Sequence, residues 1–352
     1  MRNSSIQFGL IGAGQIAQFS AKAINSHPKA KVIAVQDLNQ ERVEELRRKF
    51  SIPRAHETAG ELFADPEVDA VYIAVPNKFH APLAKQALEA GKHVILEKPF
   101  ALNYSEAKEV VEVAEKTGKV FTLGMNQRFN KDSLKIHQLV QDGVLGEIYH
   151  AKAFWFRRSG IPKLGTWFGN KALSGGGSLY DIGVHLLDLA LFTSSNFEPV
   201  SVTGSTYTKF GNRGLGEGDW GHSEREHPEF NVDDFASALV RFKNGATVTL
   251  DVSWACHAEE DNRNDVHLYG TEAGARCFPA KLFKYADKPG QYEVIENPEA
   301  QLPYSPDRFH NFVNHLLGQE ALCVKPEEAL VVQRILDAIA ESSATGREVR
   351  LD

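Results

Sequence analysis

The feature that most constrains this chain is an alternation in its first 125 residues. Short β-branched runs, IQFGLIG (6–12), KVIAVQD (31–37), DAVYIAV (69–75), KHVILEK (92–98) and KVFTLGM (119–125), are separated by longer helical patterns at 15–26, 39–50, 79–90 and 104–117. Near-continuous apolar runs of this kind suit parallel strands covered by helices on both faces, so the pattern predicts an α/β Rossmann fold with a doubly wound parallel sheet. Directly after the first run stands Gly12-Ala13-Gly14-Gln15-Ile16-Ala17, which fits G-x-G-x-x-G/A with alanine in the last place. Each small residue has a mechanical purpose. Gly12 permits the tight turn, Gly14 lets the backbone approach a pyrophosphate, and Ala17 lets helix pack closely on strand while the helix N–H groups face the anion.

Asp37 ends the second run 23 positions after Gly14. A carboxylate there accepts hydrogen bonds from an adenosine ribose and repels a 2′-phosphate, which favours NAD over NADP. Arg42, one turn into the next helix, keeps NADP open.

From residue 126 the grammar changes. Helical periodicity over 126–147 is followed by strand patterns at 148–157, 200–209, 235–242, 246–254 and 263–269, with one strong helix, 178–192, among them. Strands joined by short turns such as Lys243-Asn244-Gly245 predict an α+β domain with a large, mostly antiparallel open sheet. A chain of 352 residues exceeds what one core usually supports, and the expected domains are 1–125 for cofactor binding and 126–352 for substrate binding and oligomerisation. A last helix is expected at 326–343.

Two places carry chemistry beyond the glycine turn. Glu97-Lys98-Pro99 closes the fourth run, at the strand end where open α/β sheets bind ligands. A partly desolvated lysine there suits proton transfer or polarising a hydroxyl, and Glu97 is placed to hold the ammonium or reach the cofactor. In helix 178–192, apolar over most of its circumference, Asp181, His185 and Asp188 fall at about 0°, 40° and 340° on a regular helix, one polar stripe. Histidine titrates near working pH, and Asp181 one turn away can orient its ring. The spacing also permits a metal pair.

The glycine turn, Asp37 and Glu97-Lys98-Pro99 together resemble the glucose-fructose oxidoreductase/inositol dehydrogenase/rhizopine-catabolism (Gfo/Idh/MocA) family. The resemblance extends to Val75-Pro76-Asn77 with His80, to Gly124-Met125-Asn126-Gln127-Arg128-Phe129, and to Gly175-Gly176-Gly177 with Asp181 and His185. It implies hydride exchange between a nicotinamide and a hydroxyl-bearing carbon, with Lys98 and His185 in proton transfer and Asp181 orienting substrate or imidazole. It also implies cofactor contacts from Pro76, Asn77 and His80, and a homodimer or homotetramer formed through the open face of the second sheet. Arg128, Arg157 and Trp167 are the further candidates for holding a sugar or polyol. Trp155, Arg158 and Trp254 are weaker ones, because aromatics in strands mostly belong to cores. Some relatives use bound NAD transiently to cleave glycosides, and others only sense NAD or sugars. Net NADH formation separates the first of these from a dehydrogenase.

The remaining readings are exclusions. A net charge of −7 without a Lys/Arg-rich run leaves no footprint for nucleic acid. Apart from Phe8–Ala17, which glycines interrupt, nothing approaches a signal peptide core or the roughly 20 apolar residues of a membrane span. Cys256, Cys277 and Cys323 are too widely spaced for a zinc site or disulfide framework, which fits a reducing cytoplasm. Residues 211–231, rich in Gly, His and Glu, read as a long loop and a lid. His222, Glu224, Glu226 and His227 within it suggest a divalent metal only weakly, and no metal is expected.

Overall fold

The computed structural model describes residues 5–220, 229–286 and 290–351. The first part runs β1 (Ile6–Ile11), α1 (Gln15–Ser26), β2 (Ala30–Gln36), α2 (Gln40–Phe50), β3 (Arg54–Ala55), α3 (Ala59–Ala64), β4 (Ala70–Ile73), α4 (His80–Glu89), β5 (His93–Leu96), α5 (Tyr104–Thr117) and β6 (Phe121–Leu123). Its six strands are all parallel, in the order β3-β2-β1-β4-β5-β6. The direction of winding reverses between β1 and β4. That is the switch point at which such sheets open a crevice beyond the carboxyl ends of the strands.

The second part comprises α6 (Lys131–Gln141), β7 (Ile148–Arg157), α7 (Lys171–Ser174), α8 (Val184–Ser194), β8 (Pro199–Tyr207), β9 (Phe235–Phe242), β10 (Thr247–Ser253), β11 (Asn262–Gly270), β12 (Ala273–Arg276), β13 (Lys281–Tyr285) and β14 (Tyr292–Glu296). It is followed by α9 (Arg308–Leu316), α10 (Pro326–Thr345) and β15 (Val349–Arg350). Nine strands form one sheet in the order β14-β13-β12-β11-β7-β10-β9-β8-β15, antiparallel throughout except where β7 runs parallel to β10.

The chain divides into two compact units. One holds Met1–Met125 with Tyr304–Leu330, the other Asn126–Pro303 with Val331–Asp352. The expected division at residue 125 therefore needs a correction, because residues 304–330 belong to the first unit. The cause is apolar burial. Phe309, Phe312 and Val313 of α9 enter the core of the parallel sheet, where Phe309 meets Tyr72 and Phe312 meets Phe8 edge to face. The Thr122 hydroxyl donates to the Val324 carbonyl at 2.8 Å, fastening the returning segment behind β6.

The expected helix over 178–192 is also corrected. Leu179–Gly183 is a π-helical turn, and the regular helix α8 begins only at Val184. The wider turn is fixed from outside. Asp233 accepts from Gly177 N (2.8 Å), Ser178 Oγ (2.7 Å) and Leu179 N (2.8 Å), while its own carbonyl accepts from Ser178 N at 2.9 Å. Gly177 has to be glycine there, since a Cβ would stand 1.8 Å from the Asp233 carbonyl oxygen. Every residue of α8 from Val184 to Thr193 is buried.

Candidate functional site

In the first unit, loops at the carboxyl ends of three adjacent strands bring together the cofactor candidates. Gly12–Ile16 follow β1, Pro76 and Asn77 follow β4, and Glu97 and Lys98 follow β5. Gly12 sits at φ +100° and donates to the Gln36 carbonyl, and a Cβ on it would lie 2.2 Å from the Ala74 carbonyl oxygen. Protein packing alone thus demands that glycine. Gly14 differs. Its φ is −71°, a Cβ would meet nothing within 4 Å, and it N-caps α1 with no side-chain hydrogen bond to the helix end. Neither backbone nor packing asks for glycine there, so the space over the uncapped helix end fits an approaching pyrophosphate.

Asp37 holds this turn together from the end of β2. Its Oδ2 accepts from Ala13 N at 2.6 Å and its Oδ1 from Asn39 N at 2.8 Å, while Asn39 itself caps α2. The carboxylate is half-buried and lies beside the turn, as adenosine-ribose recognition requires.

Two of the expected cofactor ligands, His80 and Glu97, make polar contacts within the first unit. His80 is buried, with Nδ1 2.7 Å from the Pro99 carbonyl and Nε2 2.9 Å from the Val75 carbonyl. It braces the loop after β4 against the loop after β5, and burial lowers its pKa. Glu97 accepts from the Tyr72 hydroxyl (2.5 Å) and from Arg308 Nη2 (2.6 Å), and its Oε2 lies 3.2 Å from Lys98 N. Burial pushes the Glu97 carboxyl up, but the Arg308 guanidinium, the Tyr72 hydroxyl and the nearby Lys98 outweigh it and hold the group below its ordinary value. Glu97 therefore anchors the strand end that carries Lys98. Lys98 itself is half-buried, in a cis peptide with Pro99. Sequence reasoning missed Arg308, which lies 211 positions from Glu97 in a segment whose only signal was apolar periodicity.

In the second unit, Asp181 on the π turn accepts from Trp254 Nε1 at 2.8 Å, and Trp254 is wholly buried. His185 on α8 is 8% exposed, its ring 6.4 Å from that of Trp155 on β7. Arg157, two residues along the same strand, lays its guanidinium 4.4 Å over the Trp155 ring. Burial lowers the Arg157 pKa, and the charge of Asp181 opposes that shift. Asp181, His185, Arg157, Trp155 and Trp254 thus form one cluster.

Arg128 is paired with Asp188. Its Nε and Nη2 grip both carboxylate oxygens of Asp188 at 2.8 and 2.6 Å, with no exposure on either residue and with Phe192 and Phe197 against the guanidinium. Arg128, expected at the substrate, and Asp188, expected on the polar stripe, thus form a bidentate buried ion pair that uses two of the guanidinium's donors. Trp167 is half-buried and stacks on Phe168 at 3.8 Å, which in turn meets Trp220 edge to face.

The expected lid at 211–231 is described only as far as residue 220 and again from 229. Its start is tied down, since Asp234 accepts from the backbone N–H groups of Lys209, Phe210 and Gly211. His222, Glu224, Glu226 and His227 lie outside the described residues. Among the described residues no group of three or more His, Cys, Asp or Glu is placed to hold a metal ion, and no helix is long and apolar enough to cross a membrane.

Comparison with known proteins agrees with this geometry. Residues 6–125 match a family described as an oxidoreductase family with an NAD-binding Rossmann fold, and residues 133–276 match the GFO/IDH/MocA C-terminal domain. D-glucoside 3-dehydrogenase of Escherichia coli is 31% identical over 359 aligned residues, covering 100% of this chain and 99% of the relative. Myo-inositol 2-dehydrogenase of Thermotoga maritima is 26% identical, covering 84% of this chain and 79% of the relative. The solved structure of levoglucosan dehydrogenase with NADH and levoglucosan shares the fold, with a TM-score of 0.84 at 22% identity over 98% of this chain and 99% of that one. The chain belongs to the Gfo/Idh/MocA family of oxidoreductases, and its first unit is the family's NAD-binding Rossmann domain.

Proposed function

We propose that this protein oxidises a hydroxyl-bearing carbon of a sugar, sugar derivative or cyclitol, with NAD preferred to NADP. The observation that carries the reading is the position of Lys98, half-buried at the end of β5 on the same sheet edge as the open space over Gly14. NAD, when bound, supplies the hydride acceptor.

The chain's own residues then manage the proton and the charge. His185 accepts the hydroxyl proton, its imidazole serving as the general base. Lys98 stabilises negative charge developing on the substrate oxygen, and the Tyr72–Glu97–Arg308 network fixes the backbone from which it projects. Asp181, held through Trp254, orients the substrate or the imidazole. Asp37 accepts from the ribose hydroxyls, and its charge supports NAD over a phosphorylated ribose. Relatives named for glucoside and inositol dehydrogenation support a polyhydroxylated substrate.

Steady-state turnover of Lys98→Met and His185→Ala tests these roles. Each loses at least about a hundredfold in kcat if it moves a proton or stabilises charge in the transition state. Near-normal turnover in both would overturn the assignment. The reading extends to a homodimer or homotetramer, supported by exposed Tyr269, Tyr285, Tyr292 and Val294 on the second sheet, and light scattering in solution tests it.

A further inference from the structure

We infer that Arg157 selects the substrate, and that with Asp181 it recognises two neighbouring hydroxyls of an uncharged polyol, discriminating against sugar acids and sugar phosphates. The inference rests on the proposed function and adds to it a substrate class and a specificity-determining side chain.

The guanidinium of Arg157 is held in one place. One face lies 4.4 Å above the Trp155 ring, and that indole is fixed by its own Nε1 donating to Asn262 Oδ1 at 2.8 Å. On the stem, Arg157 Cδ occupies the space that a Cβ on Gly160 would fill, 2.4 Å from that ideal position. Gly160 is itself pinned, its N–H donating to the Gly216 carbonyl at 3.0 Å. A long side chain that ordinarily loses rotamer freedom on binding has already lost it here.

So restrained, the guanidinium uses few of its five N–H donors. Among the described residues its one hydrogen-bond acceptor is the Gly160 carbonyl, at the limiting distance of 3.5 Å. Burial has removed part of its water, with the Gly160 carbonyl the one acceptor supplied in exchange among the described residues. A forked donor in this state matches two oxygens presented side by side.

Which oxygens is decided by charge. Asp181 accepts from Trp254 Nε1 at 2.8 Å, the Trp254 carbonyl and Arg157 Cδ both lie against Gly160, and the charge of Asp181 acts on Arg157. A carboxylate or phosphate placed on Arg157 would meet the repulsion of Asp181. A neutral vicinal diol meets a donor fork on one side and an acceptor on the other, and each hydroxyl can both donate and accept. Trp155 and Trp254 fix the two charged groups from opposite partners, one under the fork and one bonded to the carboxylate.

The test compares methyl glucoside, glucuronate and glucose 6-phosphate as substrates of the NAD-loaded enzyme, in the native protein, Arg157→Leu and Arg157→Lys, with thermal unfolding measured alongside. The native enzyme is expected to favour methyl glucoside by at least about tenfold in kcat/KM over both anions. Arg157→Leu is expected to raise KM for methyl glucoside by about ten- to a hundredfold, the worth of one or two charge-assisted hydrogen bonds. Arg157→Lys keeps the charge without the fork and is expected to recover only a small part of it. Preference of the native enzyme for glucuronate or the phosphate, or an unchanged KM in Arg157→Leu, would overturn the inference while leaving the oxidoreductase reading intact. If Arg157→Leu unfolds, Arg157→Lys decides: full native KM overturns the inference. No turnover of these three compounds, of other sugars or of inositols by the native enzyme would overturn both the proposed function and this inference.

Discussion

Arg308 Nη2 lies 2.6 Å from Glu97 Oε1, and this buried pair ties a segment from near the end of the chain to the strand end that presents Lys98. The same guanidinium donates to the Gly124 carbonyl at 3.0 Å, where a Cβ on Gly124 would stand 2.5 Å from Arg308 Nη1. Removing Arg308 leaves a buried carboxylate without its countercharge, which costs about 3–5 kcal/mol. Arg308→Met is therefore expected to lower the unfolding free energy by that order, and adding Glu97→Gln to recover a good part of the loss. A chemical-denaturation cycle over the four proteins checks this, and strict additivity would contradict it. The Glu97 carboxyl is held below its ordinary value of 4.5, so its contribution is present above that pH and lost as pH falls through the lower folded value. Glu97→Gln should flatten that part of the acid-unfolding curve.

The two glycines of the phosphate turn make opposite predictions. Gly12→Ala puts a Cβ into the Ala74 carbonyl at positive φ and should destabilise the fold by more than about 1 kcal/mol. Gly14→Ala meets nothing in the protein and should leave the melting temperature unchanged while raising the Kd for NAD about tenfold or more. Isothermal titration with NAD alongside thermal melts separates the two. Unchanged NAD affinity in Gly14→Ala would contradict the assignment of the turn.

The pair of Arg128 with Asp188 predicts a structural effect on substitution. Arg128→Lys cannot reproduce the two parallel bonds to Asp188 and is expected to lose stability of the order of 2 kcal/mol or more, with KM for the sugar close to native. A large KM effect without loss of stability would return Arg128 to the substrate site.

His93 gives the first unit a pH response near the acid side of neutrality. Its Nδ1 accepts from Val120 N at 3.0 Å, which requires an unprotonated nitrogen, and burial together with nearby Lys119 lowers its pKa to about 4 from 6.5. A group whose folded pKa is depressed contributes stability above the unfolded value, and that contribution is lost as pH falls from 6.5 through 4. His93→Gln should weaken the fall in melting temperature across that window, and an unchanged slope would show that other groups dominate.

Much of this was legible in the sequence because it is local. Five apolar runs, a glycine turn and Asp37 each follow from residues close in the chain, and strand order then gathers their ends without further information. Lys98, Asp181 and His185 stand out for the same reason, as polar groups in apolar surroundings. What was hidden is what depends on distant partners. Nothing near Arg128 distinguishes a sugar ligand from the mate of Asp188, 60 residues away. The π turn at Leu179–Gly183 is imposed by Asp233, and the return of residues 304–330 is imposed by a core that α9 helps to complete. Arg308 combines both difficulties, because its role exists only once that return is known.

The most direct test of the account is absorbance at 340 nm when the purified protein is given NAD and a panel of sugars, glycosides and inositols. Reduced nicotinamide is expected to accumulate in step with an oxidised sugar or cyclitol for at least one neutral member, faster with NAD than with NADP. Glycoside cleavage with no build-up of NADH, or binding of NAD with no turnover across the whole panel, would contradict it.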